Sequence, residues 1–168
     1  MFIGHAAVAF AARRVAPQVS LGTMLLAVFF LDALWPMFVL LGWEAVEIHP
    51  GDTAFTPLAF THYPWSHSLV MASFWALALG GAFFGIRRDP WGGFWVAVAV
   101  ESHWALDWVT HRPDLPLAPG SDVKVGLGLW NSVPATLAVE LALFFAALAL
   151  YARLTRPRDA TGRWAYGA

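Results

Sequence analysis

Long apolar stretches separated by short polar segments set the pattern of this chain. They run from about Leu21 to Leu41, His67 to Ile86, Trp91 to Thr110 and Trp130 to Tyr151. A hydrocarbon core about 30 Å thick needs roughly 20 helical residues, and each stretch has that length. The pattern predicts an all-α protein, a polytopic membrane helical bundle with about four transmembrane helices. Pro36 lies inside the first stretch and predicts a kink there, whereas Pro134 falls near the start of the last, where proline is tolerated.

A further apolar segment, Phe2 to Ala12, is too short to span. Eleven helical residues rise about 16 Å, roughly half the core. Two arrangements are open for it. A half-helix would enter the membrane from Arg13, and an interfacial amphipathic helix would lie on the surface.

Basic residues orient the stretches. Arg13, Arg14, Arg87, Arg88, Arg153, Arg156, Arg158 and Arg163 fall on one side of a four-span arrangement, and only Arg112 and Lys124 on the other. The expected topology is multi-pass, with both termini cytoplasmic and a short tail over residues 153–168. The loops from Gly42 to Ser66 and from His111 to Leu129 then face outward. Trp43, Trp65, Trp91 and Trp130 sit near stretch ends, as interfacial anchors should.

Composition agrees. Hydrophobic residues make up 59% and charged residues 12%, against about 45–50% and 25% in soluble domains. The lipid bilayer is therefore the expected partner. A net charge of -1 offers nothing to nucleic acid. The chain has no Cys, which excludes disulfides, thiolate metal sites and Cys nucleophiles. The N-terminus has no basic segment and does not read as a secretory signal. No repeat or low-complexity tract breaks the chain, so residues 1–168 read as one membrane-embedded helical domain. Oligomeric state is left open, with a homo-oligomer allowed.

The chemistry lies in polar residues within the apolar stretches. An ionisable group at mid-bilayer costs about 2.5–3.5 kcal/mol on insertion scales. Asp32, Glu101, His103, Asp107 and Glu140 all fall inside predicted spans, and no Lys or Arg accompanies them there. Such acids must be protonated, hydrated or neutralised by a bound cation. Imidazoles among them favour zinc or a neighbouring transition metal. His103 and Asp107 are four apart and share a helix face, which His111 continues. His67 opens the second span from outside, with His62 just before it. Asp32 and Glu140 lie near mid-depth.

These residues converge on a cavity open to the outer face, and His5 joins them if the N-terminal half-helix is embedded. The expected ligands are His5, Asp32, His67, His103 and Asp107, around a divalent metal, zinc by its donors. Asp32 and Glu140 are the candidate catalytic carboxylates. His62 and His111 are second-shell or alternative ligands. Each position also has a plainer role. Asp32 can be a protonated carboxyl bonded across helices, and His67 an interfacial helix residue. Glu140 can orient a His, and Glu101 can serve packing or assembly. His49 shares an acidic loop with Glu44, Glu47 and Asp52 and reads as solvated.

The order of these pieces resembles a known family. His5, Asp32 late in an apolar run, the H-x-x-x-x-H-S element from His62 to Ser68, and the run from Ser102 to Asp107 are similar to bacterial inner-membrane metal-dependent hydrolases (the YdjM-like, or LexA-binding inner-membrane hydrolase, family). The segments from Thr110 to Leu117 and from Gly126 to Ser132 look like a subgroup of small membrane proteins, and they add Asn131 to the second-shell or alternative ligands. Here Tyr63-Pro64-Trp65 fills the place where relatives have His-Arg-Gly, and a single Asp32 stands where they often show Pro-Asp-x-Asp. The resemblance covers nearly the whole chain. It implies a hydrolase of the bacterial inner membrane, acting on a phosphoester or lipid-like substrate. Intramembrane acids and imidazoles also build small transporters or proton and ion pathways. A membrane scaffold with a structural metal is a third class. No Ser triad, phosphate-cradling Gly loop or dinucleotide fingerprint is present.

Overall fold

The computed structural model describes residues 1–156 and residue 160. Most of the predicted tail over 153–168, with Arg158 and Arg163, lies outside the described residues. The chain is mostly helical. α1 spans Ile3–Ala11, α2 Leu21–Val28, α3 Phe30–Leu40, α4 Pro64–His67, α5 Leu69–Arg87, α6 Pro90–Thr110 and α7 Val133–Leu154. α5 and α7 are long and apolar enough to cross a membrane, and α2 with α3 makes a third crossing if that bent pair is one span. α6 has the length, 21 residues, but Glu101, His103 and Asp107 interrupt its apolarity.

Local sequence explains where these helices start. Ser20, Ser68, Asp89 and Ser132 each accept a backbone N–H of the first turn that follows, capping α2, α5, α6 and α7. Pro90 and Pro134 stand in first turns, where the missing N–H costs nothing. The predicted kink is displaced. The chain bends by 48° between α2 and α3, at Phe29, while Pro36 lies within α3. The break puts Asp32 in a first helical turn and leaves Val28 at a helix C-terminus, where carbonyls lack intrahelical donors.

The loops from Gly42 to Ser66 and from His111 to Leu129 are not irregular throughout. β1 (Ala45–Ile48) and β2 (Leu58–His62) form an antiparallel hairpin, and β3 (Leu115–Pro116) pairs with β4 (Lys124–Val125). Trp43, Trp65 and Trp91 are exposed at element ends. Trp130 is not the anchor expected of it. It is buried, with its ring near those of Phe55, Phe60 and His111.

α1 packs against α7, α2 and α6. Gly4, His5, Ala7 and Ala9 are out of solvent, so the inner face of α1 is covered by these helices. The core is built of small and branched residues, among them Ala27, Val28, Leu31, Ala72, Ala76, Val96, Ala99 and Val100. α5 and α6 approach closely at two glycines. A Cβ on Gly80 would meet the Gly93 carbonyl at 2.6 Å, and one on Gly93 would meet the Gly80 carbonyl at 2.8 Å. Close backbone approach of this kind drives helix association in lipid. Ser73 Oγ also donates to Glu101 Oε1 across this pair (3.2 Å), consistent with the packing role open to Glu101. Gly80→Val should destabilise the fold by about 1–3 kcal/mol through overpacking, read as a lower thermal midpoint in detergent. Gly81→Val, facing open space, is the control. Equal midpoints for the two would show that α5 and α6 are not this close.

Candidate metal centre

α6 buries one stripe: Gly92, Gly93, Val96, Ala99, Val100, His103, Asp107 and Thr110. The spacing alternates three and four residues, so one helix face carries both packing and chemistry. His103 and Asp107 lie on it, 0% and 2% exposed. α1 brings His5, the end of the single-turn α4 brings His67, and the first turn of α3 brings Asp32.

Four separations define the centre. His103 Nε2 stands 3.1 Å from Asp107 Oδ2 and 3.5 Å from Asp32 Oδ1. His67 Nε2 stands 3.6 Å from Asp32 Oδ1 and 3.8 Å from Asp107 Oδ2. Ligands about 2.0–2.2 Å from a tetrahedral zinc stand about 3.3–3.6 Å apart. The donor atoms are thus spaced nearly as a coordination sphere would space them. The groups His5–His103–Asp107 and Asp32–His67–His103 each have ligand atoms within 4.8 Å of one another and could hold a metal ion.

The imidazoles are aimed. His103 Nδ1 lies 2.7 Å from the Val28 carbonyl. A carbonyl only accepts, so Nδ1 carries a proton, and in the neutral ring Nε2 keeps its lone pair. That Nε2 is buried without a hydrogen-bond partner. His67 Nδ1 lies 2.7 Å from Ser66 Oγ. His5 stacks on His103, with ring centroids 3.8 Å apart and planes 4° apart. Its Nε2 faces Asp107 Oδ1 at 3.2 Å. Asp107 Oδ1 also accepts the Met1 amino group, which lies 3.1 Å from Thr110 Oγ1 as well. Asp107 therefore turns one oxygen to His67 and His103 and the other to His5.

A cavity of about 540 Å³ opens on this cluster. Asp32, His67, Asp107 and His111 line its polar end, and Phe29, Trp35, Phe55, Phe60, Tyr63 and Trp130 wall the rest. Asp32 is the open member, with 46% of its side chain exposed. No Lys or Arg is among the lining residues.

Other expected residues go elsewhere. Glu140 Oε2 accepts Phe2 N (2.9 Å) and Gly4 N (3.2 Å). It caps the start of α1, which has no side-chain cap of its own. The structure does not bring it to the cavity as a catalytic carboxylate. His62 is exposed at the end of β2 and lines a separate cleft with Pro64 and Lys124. Asn131 is exposed on a 3-10 turn. Neither lines the cavity that opens on the cluster. His49 is exposed beside Glu47, at 2.9 Å.

His111 does reach the site, with Nε2 4.0 Å from Asp107 Oδ2. Its Nδ1 lies 3.0 Å from Asp114 Oδ1, which also accepts the Tyr63 hydroxyl at 3.0 Å. Arg112 bonds both Asp114 and Asp52. Burial raises the Asp114 carboxyl, but bonds from His111, Arg112 and Tyr63 outweigh it and hold the group below the usual carboxylate range. Burial, with Asp114 alongside, pushes the Tyr63 phenol well above its ordinary value.

Glu44, Tyr63 and Asp114 are the members that sequence reasoning missed. Glu44 and Asp114 lie outside the apolar stretches, where nothing local singles them out as site residues. The one available signal was Glu44's place beside an apolar hairpin. The chain matches no protein-family model, no curated protein and no solved structure, so its function has to be read from this geometry.

Glu140 makes α1 testable. Removing a buried, charge-assisted acceptor costs about 1–3 kcal/mol. Glu140→Ala should therefore speed hydrogen exchange at the first amides of α1 while leaving α5 and α6 protected. Unchanged exchange at Gly4 would show that α1 is held by packing alone.

Proposed function

We propose that the chain is a membrane-embedded metal-dependent hydrolase of the YdjM-like kind, cleaving a phosphoester or lipid-like substrate from the outer face of a bacterial inner membrane. The carrying observation is the set of four donor separations, 3.1–3.8 Å, among Asp32, His67, His103 and Asp107. Two imidazoles and two carboxylates suit zinc.

One ion fits better than two. Both ligand groups need His103, whose Nδ1 is committed to Val28. A single lone pair on Nε2 serves a single metal. His5 then packs against the ligating imidazole and completes the surroundings of Asp107.

A bound divalent ion supplies Lewis acidity, polarising the scissile oxygen and acidifying a water. The chain's own residues do the rest. Asp32 gives Oδ1 to the cluster, and its second oxygen, on a side chain half exposed at the cavity, is left to take a proton from the attacking water. The aromatic walls seat the apolar part of a substrate and keep bulk water from the cluster. Tyr63, Asp114 and Arg112 fix His111 at the rim.

In this reading α2–α3, α5, α6 and α7 make four crossings, with Arg13, Arg14 and the C-terminal tail on the cytoplasmic side, while Met1 itself reaches inward to Asp107. α6 crosses because its polar residues face inward, where intramembrane ionisable groups are tolerated. The support is its buried stripe and the exposed apolar residues on α5 and α7.

Protein purified in chelator-free detergent should hold about one zinc-like ion per chain by elemental analysis. His103→Ala and Asp107→Asn should lose it. Hydrolysis on a panel of phosphodiesters and lipid esters should fall in these variants by more than about 100-fold, the upper end of what outer-shell changes cost. Wild type without stoichiometric metal would contradict the proposal.

A further inference from the structure

Glu44 reads in sequence as one more acid in an outer loop, yet it is 4% exposed. A carboxylate is buried only at a cost, unless its lone pairs are filled. Here they are. Oε1 accepts Trp65 N (2.8 Å) and Ser66 N (2.7 Å), and Oε2 accepts Ser66 Oγ (2.7 Å). Ser66 is itself fully buried, and its Oγ lies 2.7 Å from His67 Nδ1.

Proton counting settles the direction of this chain of bonds. An ionised carboxylate only accepts, and a serine hydroxyl carries one proton. That proton goes to Glu44. Ser66 Oγ then has only lone pairs left for His67, so His67 Nδ1 must donate. The imidazole is held as the Nδ1–H tautomer. Its Nε2 lone pair is turned toward Asp32 Oδ1 and Asp107 Oδ2, at 3.6 and 3.8 Å. The Val28 carbonyl does the same for His103, so both imidazoles present Nε2 to one point.

We propose that Glu44 is a positioning residue: acting through Ser66, it locks His67 in the tautomer and orientation that bind metal. The proposal rests on reading the Asp32–His67–His103–Asp107 cluster as a metal centre. Partners of this kind fix ring orientation and raise ligand basicity.

A plainer role competes with it. Glu44 Oε1 caps the single turn of α4, and a cap alone would explain the burial of that oxygen. The two roles use different atoms and therefore separate by mutation. Ser66→Ala removes the link to His67 but leaves Oε1 on both backbone N–H groups. Glu44→Gln places an amide donor against Ser66 Oγ, which turns the serine proton toward His67 Nδ1 and favours the Nε2–H tautomer. Ser66→Thr keeps the hydroxyl and serves as the rescue.

The test uses the full-length chain in detergent, with zinc affinity from competition against a chromophoric chelator and the His67 tautomer from nitrogen NMR of the metal-free protein. Ser66→Ala and Glu44→Gln should each weaken zinc by about 10–100-fold, and Ser66→Thr should recover most of the loss. The His67 signals should report Nδ1–H in wild type and shift toward Nε2–H in Glu44→Gln. Affinities within about twofold of wild type for both Ser66→Ala and Glu44→Gln would overturn the proposal. So would an Nε2–H tautomer in wild type. If wild type binds no zinc, the metal-centre reading itself fails, while the NMR signals still decide whether Glu44 sets the tautomer.

Discussion

The structure depends on one constraint: buried carboxylates and imidazoles have to be satisfied where side-chain cations are absent. Asp107 is 2% exposed and meets four histidines and the Met1 amino group, but no Lys or Arg among the described residues. Removing an ion from water costs several kcal/mol even after relaxation. A fold that accepts this in the last turn of α6 must recover it locally. A cation held between Asp32, His67, His103 and Asp107 would do so, and the donor spacing suits one.

Broken helices do the positioning. The bend at Phe29 frees the Val28 carbonyl for His103 and places Asp32 in a first turn. The single turn of α4 ends at His67, and its N–H groups at Trp65 and Ser66 hold Glu44. The start of α1 is held by Glu140, reaching across from α7. At each of these ends, backbone groups that a continuous helix would satisfy internally are taken by side chains near the site. In lipid such groups cannot be left to water. Helix interruption and site construction are thus the same physical event.

Much of this was legible beforehand. The hydropathy pattern locates the long helices within a few residues. The H-x-x-x-D spacing fixes a shared face of α6, and the scarcity of intramembrane cations points to the cluster. What was not legible depends on contacts distant in sequence. Glu140 lies about as deep as Asp32 in the pattern, but nothing local says that it faces α1. Glu44 looks solvated because its neighbours are, and only its bonds to Trp65 and Ser66, distant in sequence, hold it inside. Pro36 announces a bend by composition, while the actual break at Phe29 coincides with the demand of His103 for a carbonyl. Trp130 resembles an interfacial anchor until Phe55, Phe60 and His111 close around it.

The most direct measurement is X-ray absorption at the metal edge of the loaded, detergent-purified protein. The account predicts a shell of nitrogen and oxygen donors at about 2.0–2.2 Å, with the outer scattering of about two imidazoles. An oxygen-only shell without imidazole scattering, as from an ion held loosely by carboxylates and water, would contradict it.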